Sequence, residues 1–315
     1  MILYNTKNWS ATFFKISIFF RNSYNHKALL ISQLLIISYA SLITWLNLEV
    51  PSLGFKFGID PIFFSMIGLI LSLFLVFRVN TAYAKWWEGR QQWGALVNVC
   101  RSLASHMDIL LPTSDREMRA YYASQIANFP LVLKLHLREQ ALPEGDLGLP
   151  EQELAELKDA LHKPMCTANQ LTRGIHQMAR NEEMDGFDKR TLKELIDSLI
   201  NILGACERIK NTPIPFSHAD FVKRLILIYG LALPFGLMDS FGYMTIPAAA
   251  LIFYALVGLE MISEEIENPF GEDNNDLPLS TLANTICLNV HEVLAVPFEP
   301  APTPDLPQRA LKVID

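Results

Sequence analysis

Long uncharged runs alternate along the chain with charged, amphipathic stretches. The first run, Ala28 to Leu46, is about as long as a helix that crosses a hydrocarbon core. A second uncharged run extends from Pro61 to Phe77, after a short loop. Arg21 and Lys27 precede the first run, and Arg78 follows the second. Because basic residues collect on the cytoplasmic side of membrane spans, the pattern predicts a hairpin of two transmembrane helices with a cytoplasmic N-terminus.

A third apolar stretch, Leu225 to Leu259, is interrupted by a single charge at Asp239. Ser240 and Gly242 follow this charge and favour a turn. Two short antiparallel spans fit this pattern better than one long span, which gives four spans and a cytoplasmic C-terminus.

The remaining segments have helical character but greater polarity. Asn8 to Phe20 alternates polar and aromatic residues and predicts a helix lying in the membrane interface. Between Trp86 and Pro215 the pattern predicts a cytosolic helical bundle, with helix starts at Ser114, Pro143 and Pro150.

The predicted fold is therefore all-α, an integral membrane helical protein with four transmembrane helices and a cytosolic helical bundle. The predicted divisions are an interfacial helix with the first transmembrane hairpin (1–85), the cytosolic helical domain (86–220), the second transmembrane hairpin (221–265), an acidic turn with a C-terminal helix (266–296) and a Pro-rich tail (297–315).

Composition agrees with a membrane protein, because 50% of the 315 residues are hydrophobic and only 19% are charged. The net charge of -7 supplies no basic footprint for nucleic acid, so that class of partner is excluded. The four cysteines are scattered, with no paired cysteines and no histidine at ligand spacing to them, so they predict buried, idle thiols: Cys100, Cys166, Cys206 and Cys287.

No nucleophile, acid/base pair or metal motif converges in the sequence, so an enzyme is not predicted. His218 has no obvious partner and is interpreted as a structural, hydrogen-bonding residue. Leu69, Leu73 and Phe77 recur four residues apart and form one bulky apolar stripe on the second span. Such a stripe is either ordinary packing or, if copies of the helix surround an axis, a narrow hydrophobic constriction.

The segment from Ser263 to Ser280 carries six acidic residues. Pro269 and Gly271 are expected to end the preceding helix, so we expect these acids in a shaped turn rather than along a helix. The turn is a solvated turn, a cation site or a helix-end patch that repels anions, and the EF-hand pattern is absent. The oxygen ligands available to a cation would be Glu265, Asn268, Glu272, Asp273 and Asp276.

Three segments carry a resemblance to a known family. They are FRVNTAYAKWWEGRQQWGALVN from Phe77, NTPIPFSHADF from Asn211 and EEIENPFGEDNNDLPLS from Glu264. Together they resemble the bacterial branch of the bestrophin family, over almost the whole chain. The resemblance implies an ion channel that assembles as a homopentamer, with one pore along the five-fold axis and through a cytosolic vestibule.

The resemblance also implies roles for particular residues. The family's three apolar neck positions match Leu69, Leu73 and Phe77, and its second, cytosolic constriction matches Phe187, with Met184 as a competitor. Animal members bind calcium at the acidic motif, which this chain keeps except at Glu265, where those members have Gln. A structural turn without metal explains the same residues, and no cofactor is required.

The resulting hypothesis is a pentameric channel of the bacterial inner membrane that passes small monovalent ions. Animal relatives conduct chloride and other anions, whereas the bacterial branch can prefer cations such as sodium. The expected partners are further copies of this chain, the permeating ions and membrane lipid. The alternative is a membrane-anchored helical scaffold or sensor that binds a cytosolic partner.

Overall fold

The computed structural model describes residues 24–50, 61–143, 147–273 and 275–297. These residues form a series of α-helices, and this part of the chain contains no β-strand. The all-α prediction is therefore confirmed. The helices are α1 (Tyr24–Glu49), α2 (Pro61–Leu110), α3 (Arg116–Leu137), α4 (Glu151–Asp159), α5 (Lys163–Arg180), α6 (Gly186–Asn211), α7 (Phe216–Phe241), α8 (Thr245–Glu267) and α9 (Leu279–Val293), with a short 3₁₀ turn at Gly242–Met244.

Three helical segments are long and apolar enough to cross a membrane: Lys27–Glu49, Ile62–Leu110 and Ser217–Glu267. The third is bent at Gly242, whose φ of 51° is a left-handed conformation that glycine adopts without strain. Its two arms, α7 and α8, run antiparallel, since Lys223 and Glu264 near their far ends form an ion pair of 2.8 Å. The turn thus lies where the uncharged run was predicted to break.

Glycines allow the apolar helices to approach one another closely. A Cβ on Gly236 of α7 would lie 2.3 Å from the ring of Phe64 on α2. A Cβ on Gly230 would lie 2.6 Å from the ring of Phe253 on α8. Buried aromatic rings therefore occupy the space that a larger residue would need, and these contacts set the distances between α7 and its neighbours.

The 50-residue helix α2 joins the apolar helices to the bundle that was predicted to be cytosolic. Its first half contributes Leu71 and Leu75 to the apolar cluster, and its second half buries Trp93 and Met107 against α3, α6 and α9. The division predicted at residues 85 and 86 thus falls inside a continuous helix. The four cysteine thiols are free and buried, as the scattered pattern indicated.

Helix starts in the bundle differ in detail from the sequence prediction. Helix α3 begins at Arg116, because the side chain of Asp115 rather than Ser114 accepts the capping bond from the Met118 N–H. Pro143 lies outside the helices: α3 ends beside Glu139, which has a φ of 56°, and the described residues between Glu139 and Glu151 are non-helical. The start predicted at Pro150 is confirmed, since α4 follows it directly.

The C-terminal helix predicted after the acidic turn is present as α9. The predicted interfacial helix, Asn8 to Phe20, lies outside the described residues, as does the Pro-rich tail beyond residue 297.

Candidate functional site: an exposed face of α2 and the acidic turn

The first half of α2 has two opposite faces. Phe64, Leu71 and Leu75 are buried on the face that packs against α7 and α8. Since successive residues turn by about 100° around a helix, Leu69 and Leu73 lie on the other face.

The three predicted neck residues all lie on that outer face. Leu69 is 74% exposed, Leu73 55% and Phe77 56%. They do not belong to the core of their own chain, so intrachain packing does not account for the stripe. A role in a pore neck stays a prediction.

A buried ion pair lies one residue beyond Phe77. The Nε of Arg78 is 2.7 Å from Oε2 of Glu260 on α8, and the two residues are 2% and 4% exposed. The second carboxylate near Arg78 is Glu267, at 3.7 Å, which also accepts a hydrogen bond of 2.9 Å from the Ile214 N–H.

Sequence reasoning missed this pair, because it treated Arg78 as a flanking charge and did not consider Glu260, which directly follows the third apolar stretch. The usable signal was a carboxylate between Leu259 and Met261 at the end of an apolar run, which is costly to bury unless it is paired.

The two candidates for a cytosolic constriction have different environments. Phe187 is 82% exposed in the first turn of α6, where the Asp185 side chain accepts a hydrogen bond of 2.8 Å from its N–H. Met184 packs against the cytosolic core. Of the two, Phe187 has the side chain available to line an opening, and its role stays a prediction.

The acidic segment is divided between a helix and a turn, which corrects the expectation that all its carboxylates lie in a turn. Glu264, Glu265 and Glu267 belong to the last turn of α8, which ends at Glu267. Helix α8 stops there because Pro269 has no N–H and disfavours helical geometry at Asn268. The turn itself therefore holds only the later acids.

Asp276 organises the turn. Its Oδ2 accepts a hydrogen bond of 2.7 Å from the Asp273 N–H, and its own N–H donates to the Asp273 carbonyl at 3.1 Å. The Leu277 N–H closes the turn on the Pro269 carbonyl at 2.9 Å. A Cβ at Gly271 would lie 2.6 Å from Asp276 Oδ2, so only glycine fits there.

Side chains from α2 and α8 hold one side of the turn. The indole N–H of Trp86 donates to the Asn275 carbonyl at 3.0 Å, and the Asn275 amide donates to Glu265 at 3.0 Å. The buried ring of Phe270 lies against Gly89, where an added Cβ would be 3.1 Å away. The turn is thereby attached to α2 where that helix enters the cytosolic bundle.

The end of α3 holds the other side of the turn. The amide of Gln140 donates to Glu272 at 2.6 Å, and Arg138 lies 3.6 Å from the same carboxylate oxygen. Arg138 also donates to the Phe270 carbonyl at 3.3 Å. Glu272 is thus engaged by α3, apart from the other predicted cation ligands.

Asp276 lies in surroundings that disfavour the charged form of its carboxyl group. It is 6% exposed, and its Oδ1 has no hydrogen-bond partner among the described residues. Burial, together with the charges of Asp273 and Glu265, raises the pKa of Asp276 to about 7, although the Asp273 N–H and Arg138 act in the opposite direction. A hard cation would satisfy the orphaned oxygen, and Glu265 and Asp273 are the further carboxylates whose charges reach Asp276.

His218 has the packed surroundings of a structural residue, but the predicted hydrogen bonding is not seen at its Nδ1 among the described residues. Its ring packs against Phe74, with centroids 6.3 Å apart, and its buried Nδ1 has no hydrogen-bond partner in the part of the chain that the structure describes. Packing therefore holds the ring more than hydrogen bonding does.

Several channel-forming proteins are similar in sequence to most of this chain. The voltage-dependent anion channel-forming protein of Nostoc is 34% identical over 242 residues, which cover 75% of this chain and 79% of the relative. That of Synechocystis is 33% identical over 249 residues, covering 78% and 81%. The voltage-dependent anion channel-forming protein YneE of Salmonella typhi is 32% identical over 262 residues, covering 82% and 83%.

Solved structures match the fold as well. A bacterial bestrophin homologue from Klebsiella pneumoniae superimposes with a TM-score of 0.79 at 26% identity, over 85% of this chain and 99% of the homologue. A variant of that homologue superimposes with a TM-score of 0.77 at 26% identity, over 84% and 98%. The sequence model of the bacterial and fungal bestrophin family matches residues 5–292 of this chain. This chain is therefore a member of the bacterial and fungal bestrophin family, a family of channels and not of enzymes.

Proposed function

We propose that this protein is a homopentameric ion channel of the bacterial inner membrane, with both termini in the cytoplasm. In this proposal α1, the first half of α2, α7 and α8 each cross the bilayer. The relatives named above are anion channel-forming proteins, so small monovalent anions such as chloride are the first candidates for the permeating ion, and cations such as sodium are the second.

The observation that carries the proposal is the outward face of α2. Leu69, Leu73 and Phe77 are large, apolar and exposed, on the side opposite the packed face. Five copies around an axis would form three rings about 6 Å apart, one turn of helix each. Apolar rings of this kind close a pore by excluding water. The Arg78–Glu260 pair supports this arrangement, because it fixes the orientation of α2 directly after Phe77.

The cytosolic parts would contribute a second constriction and a cation-sensitive turn. Exposed Phe187 is our candidate for the constriction. We propose that Glu265, Asp273 and Asp276 bind a calcium ion close to the point where α2 leaves the membrane. The same turn can act without metal as a structural link between α2, α3 and α8.

The test is reconstitution of the purified protein in planar bilayers. Trimming Leu69, Leu73 and Phe77 to Ala is expected to raise the conductance and the open time, since a wider, less apolar neck holds water more readily. Leu251→Ala on α8 is the matched control, because Leu251 is equally exposed, at 69%, on a different helix. It should leave the current unchanged.

Reversal potentials under asymmetric salt then identify the permeating ion. Absence of current in the wild type, with no gain on trimming, would refute the channel. A monomer or dimer in detergent, instead of a pentamer, would favour the membrane-anchored scaffold.

A further inference from the structure

Two histidines and a glutamate from three separate helical elements meet in the cytosolic bundle, away from the acidic turn. His136 lies in the last turn of α3, His162 caps the start of α5, and Glu207 lies near the end of α6. The Nε2 atoms of His136 and His162 are 2.7 Å and 2.9 Å from the same oxygen, Oε1 of Glu207. The ligand atoms of all three residues lie within 4.8 Å of one another.

We propose that His136, His162 and Glu207 form a binding site for a divalent transition-metal ion, for which zinc is the best fit. Two imidazoles and one carboxylate with an open fourth position is a zinc-binding set. Neighbouring ligands of a tetrahedral zinc ion with bonds of about 2.0–2.1 Å are roughly 3.3 Å apart. The two contacts to Glu207 would therefore widen by only about half an ångström on binding.

The surroundings of the trio suit an exchangeable cation. A cavity of about 270 Å³ opens beside His136 and Glu207, so an ion and a bound water have access. His136 sits where the carbonyl end of α3 carries partial negative charge, which favours a cation. Two lysines, Lys163 and Lys210, also line the cavity, and they oppose a cation there. Lys210 is paired with Glu139 at 2.8 Å, which lowers its repulsion.

One hydrogen bond limits the affinity. The Met165 N–H donates to Nδ1 of His162 at 3.3 Å and caps α5. In neutral His162 the proton is therefore on Nε2 and faces Glu207. Metal at Nε2 would require the proton to leave that atom and Nδ1 to carry it, so the cap would be lost. Losing this helix cap would weaken zinc binding about five-fold, which favours an exchangeable ion over a permanent structural one.

The bound ion would tie together the end of α3, the start of α5 and the end of α6, where both histidines contact a single oxygen of Glu207. Two residues beyond His136, Arg138 holds the acidic turn through Phe270 and Glu272. The proposed site therefore adjoins the segment that attaches α3 to this turn. This inference does not depend on ion conduction by the protein.

The experiment is calorimetric titration of chelator-stripped full-length protein in detergent with zinc chloride, in buffer containing excess magnesium. One zinc ion per chain is expected to bind the wild type. His136→Gln, His162→Gln and Glu207→Gln should each weaken binding at least about ten-fold, since loss of even an outer partner of a metal ligand costs about 10- to 100-fold.

His176→Gln is the control, because it removes a histidine from α5 outside the trio. It should bind zinc as the wild type does, and elution of every variant at the wild-type volume checks its assembly. Thermal unfolding adds a second readout, because zinc should raise the unfolding midpoint of the wild type and the control but not of the three ligand variants. No binding by the wild type, or equal binding by all variants, would overturn the site.

Discussion

Arg78 and Glu260 are joined by a buried ion pair of 2.7 Å that links α2 to α8, one residue beyond the exposed ring of Phe77. The charge of Arg78 is thus neutralised within its own chain, on the packed side of α2. The outer face from Leu69 to Phe77 therefore carries no charged side chain, as the proposed dewetting neck requires.

Loss of one partner in this pair is expected to be severe. Arg78→Met leaves Glu260 buried without a counter-charge, which costs about 3–5 kcal/mol. The double variant Arg78→Met/Glu260→Met should be more stable than Arg78→Met, because no uncompensated charge remains between those two positions. Denaturant unfolding in detergent measures both.

The exposed ion pair Lys223–Glu264 is the control for the variants of the buried pair. Glu264→Gln should cost less than about 1 kcal/mol, since solvent screens the charges. Equal losses at the two pairs would show that burial of Arg78 does not matter.

Close packing of α7 on α2 predicts a second result. Gly236→Ala should lower the thermal unfolding midpoint, because the new methyl group would meet the buried ring of Phe64 at 2.3 Å. Gly204→Ala on α6 is the matched change, since nothing lies within 4 Å of its added Cβ. That variant should gain up to about 1 kcal/mol from better helix propensity. If both variants gain stability, the α2–α7 contact is looser than described.

The raised pKa of Asp276 predicts a pH dependence of stability. In the folded chain this group titrates near pH 7, and in the unfolded chain near pH 4. Between these values the folded state holds a proton that the unfolded state releases. The stabilisation is therefore complete below about pH 4 and is lost as the pH rises through 7.

Asp276→Asn removes that dependence. Measured in chelator, the unfolding free energy of the variant relative to the wild type should rise between pH 4 and 7, by at most about 4 kcal/mol. Adding calcium should raise the unfolding free energy of the wild type above pH 7, where the Asp276 carboxylate is ionised. It should raise that of the variant less. Parallel pH curves for the two proteins would contradict the buried carboxyl.

Truncation of Phe187 and truncation of Met184 are expected to differ in their effects on conductance and on stability. Phe187→Ala should change the single-channel conductance and leave the unfolding free energy within about 0.5 kcal/mol, because the ring is exposed. Met184→Ala should lower stability, because Met184 packs against the core. Conductance altered by Met184→Ala alone would move the constriction to that residue.

Sequence patterns predicted what depends on neighbouring residues along one helix. Uncharged runs located α1, the first half of α2 and the α7–α8 hairpin, and a spacing of four placed Leu69, Leu73 and Phe77 on one face. The start of α3 was displaced by one residue because Asp115, not Ser114, supplies the cap.

Sequence patterns did not predict contacts between distant segments. Arg78 and Glu260 are 182 positions apart, and the search for histidines at ligand spacing to cysteines did not examine His136 and His162 with Glu207. Each of these residues is unremarkable alone and acquires a role only when helix packing brings its partner within reach. The acids of Ser263 to Ser280 were likewise divided by the end of α8, which composition did not place.

The unbroken course of α2 has a mechanical consequence. An α-helix of 50 residues is about 75 Å long and resists stretching and twisting, because each turn is fixed by its backbone hydrogen bonds. A displacement at Met107 would therefore move Leu69, near the other end of the helix, as a swing or roll of the whole rod. In the proposed channel, opening and closing would then be leverage exerted through the helical bundle, with no hinge in between to absorb it.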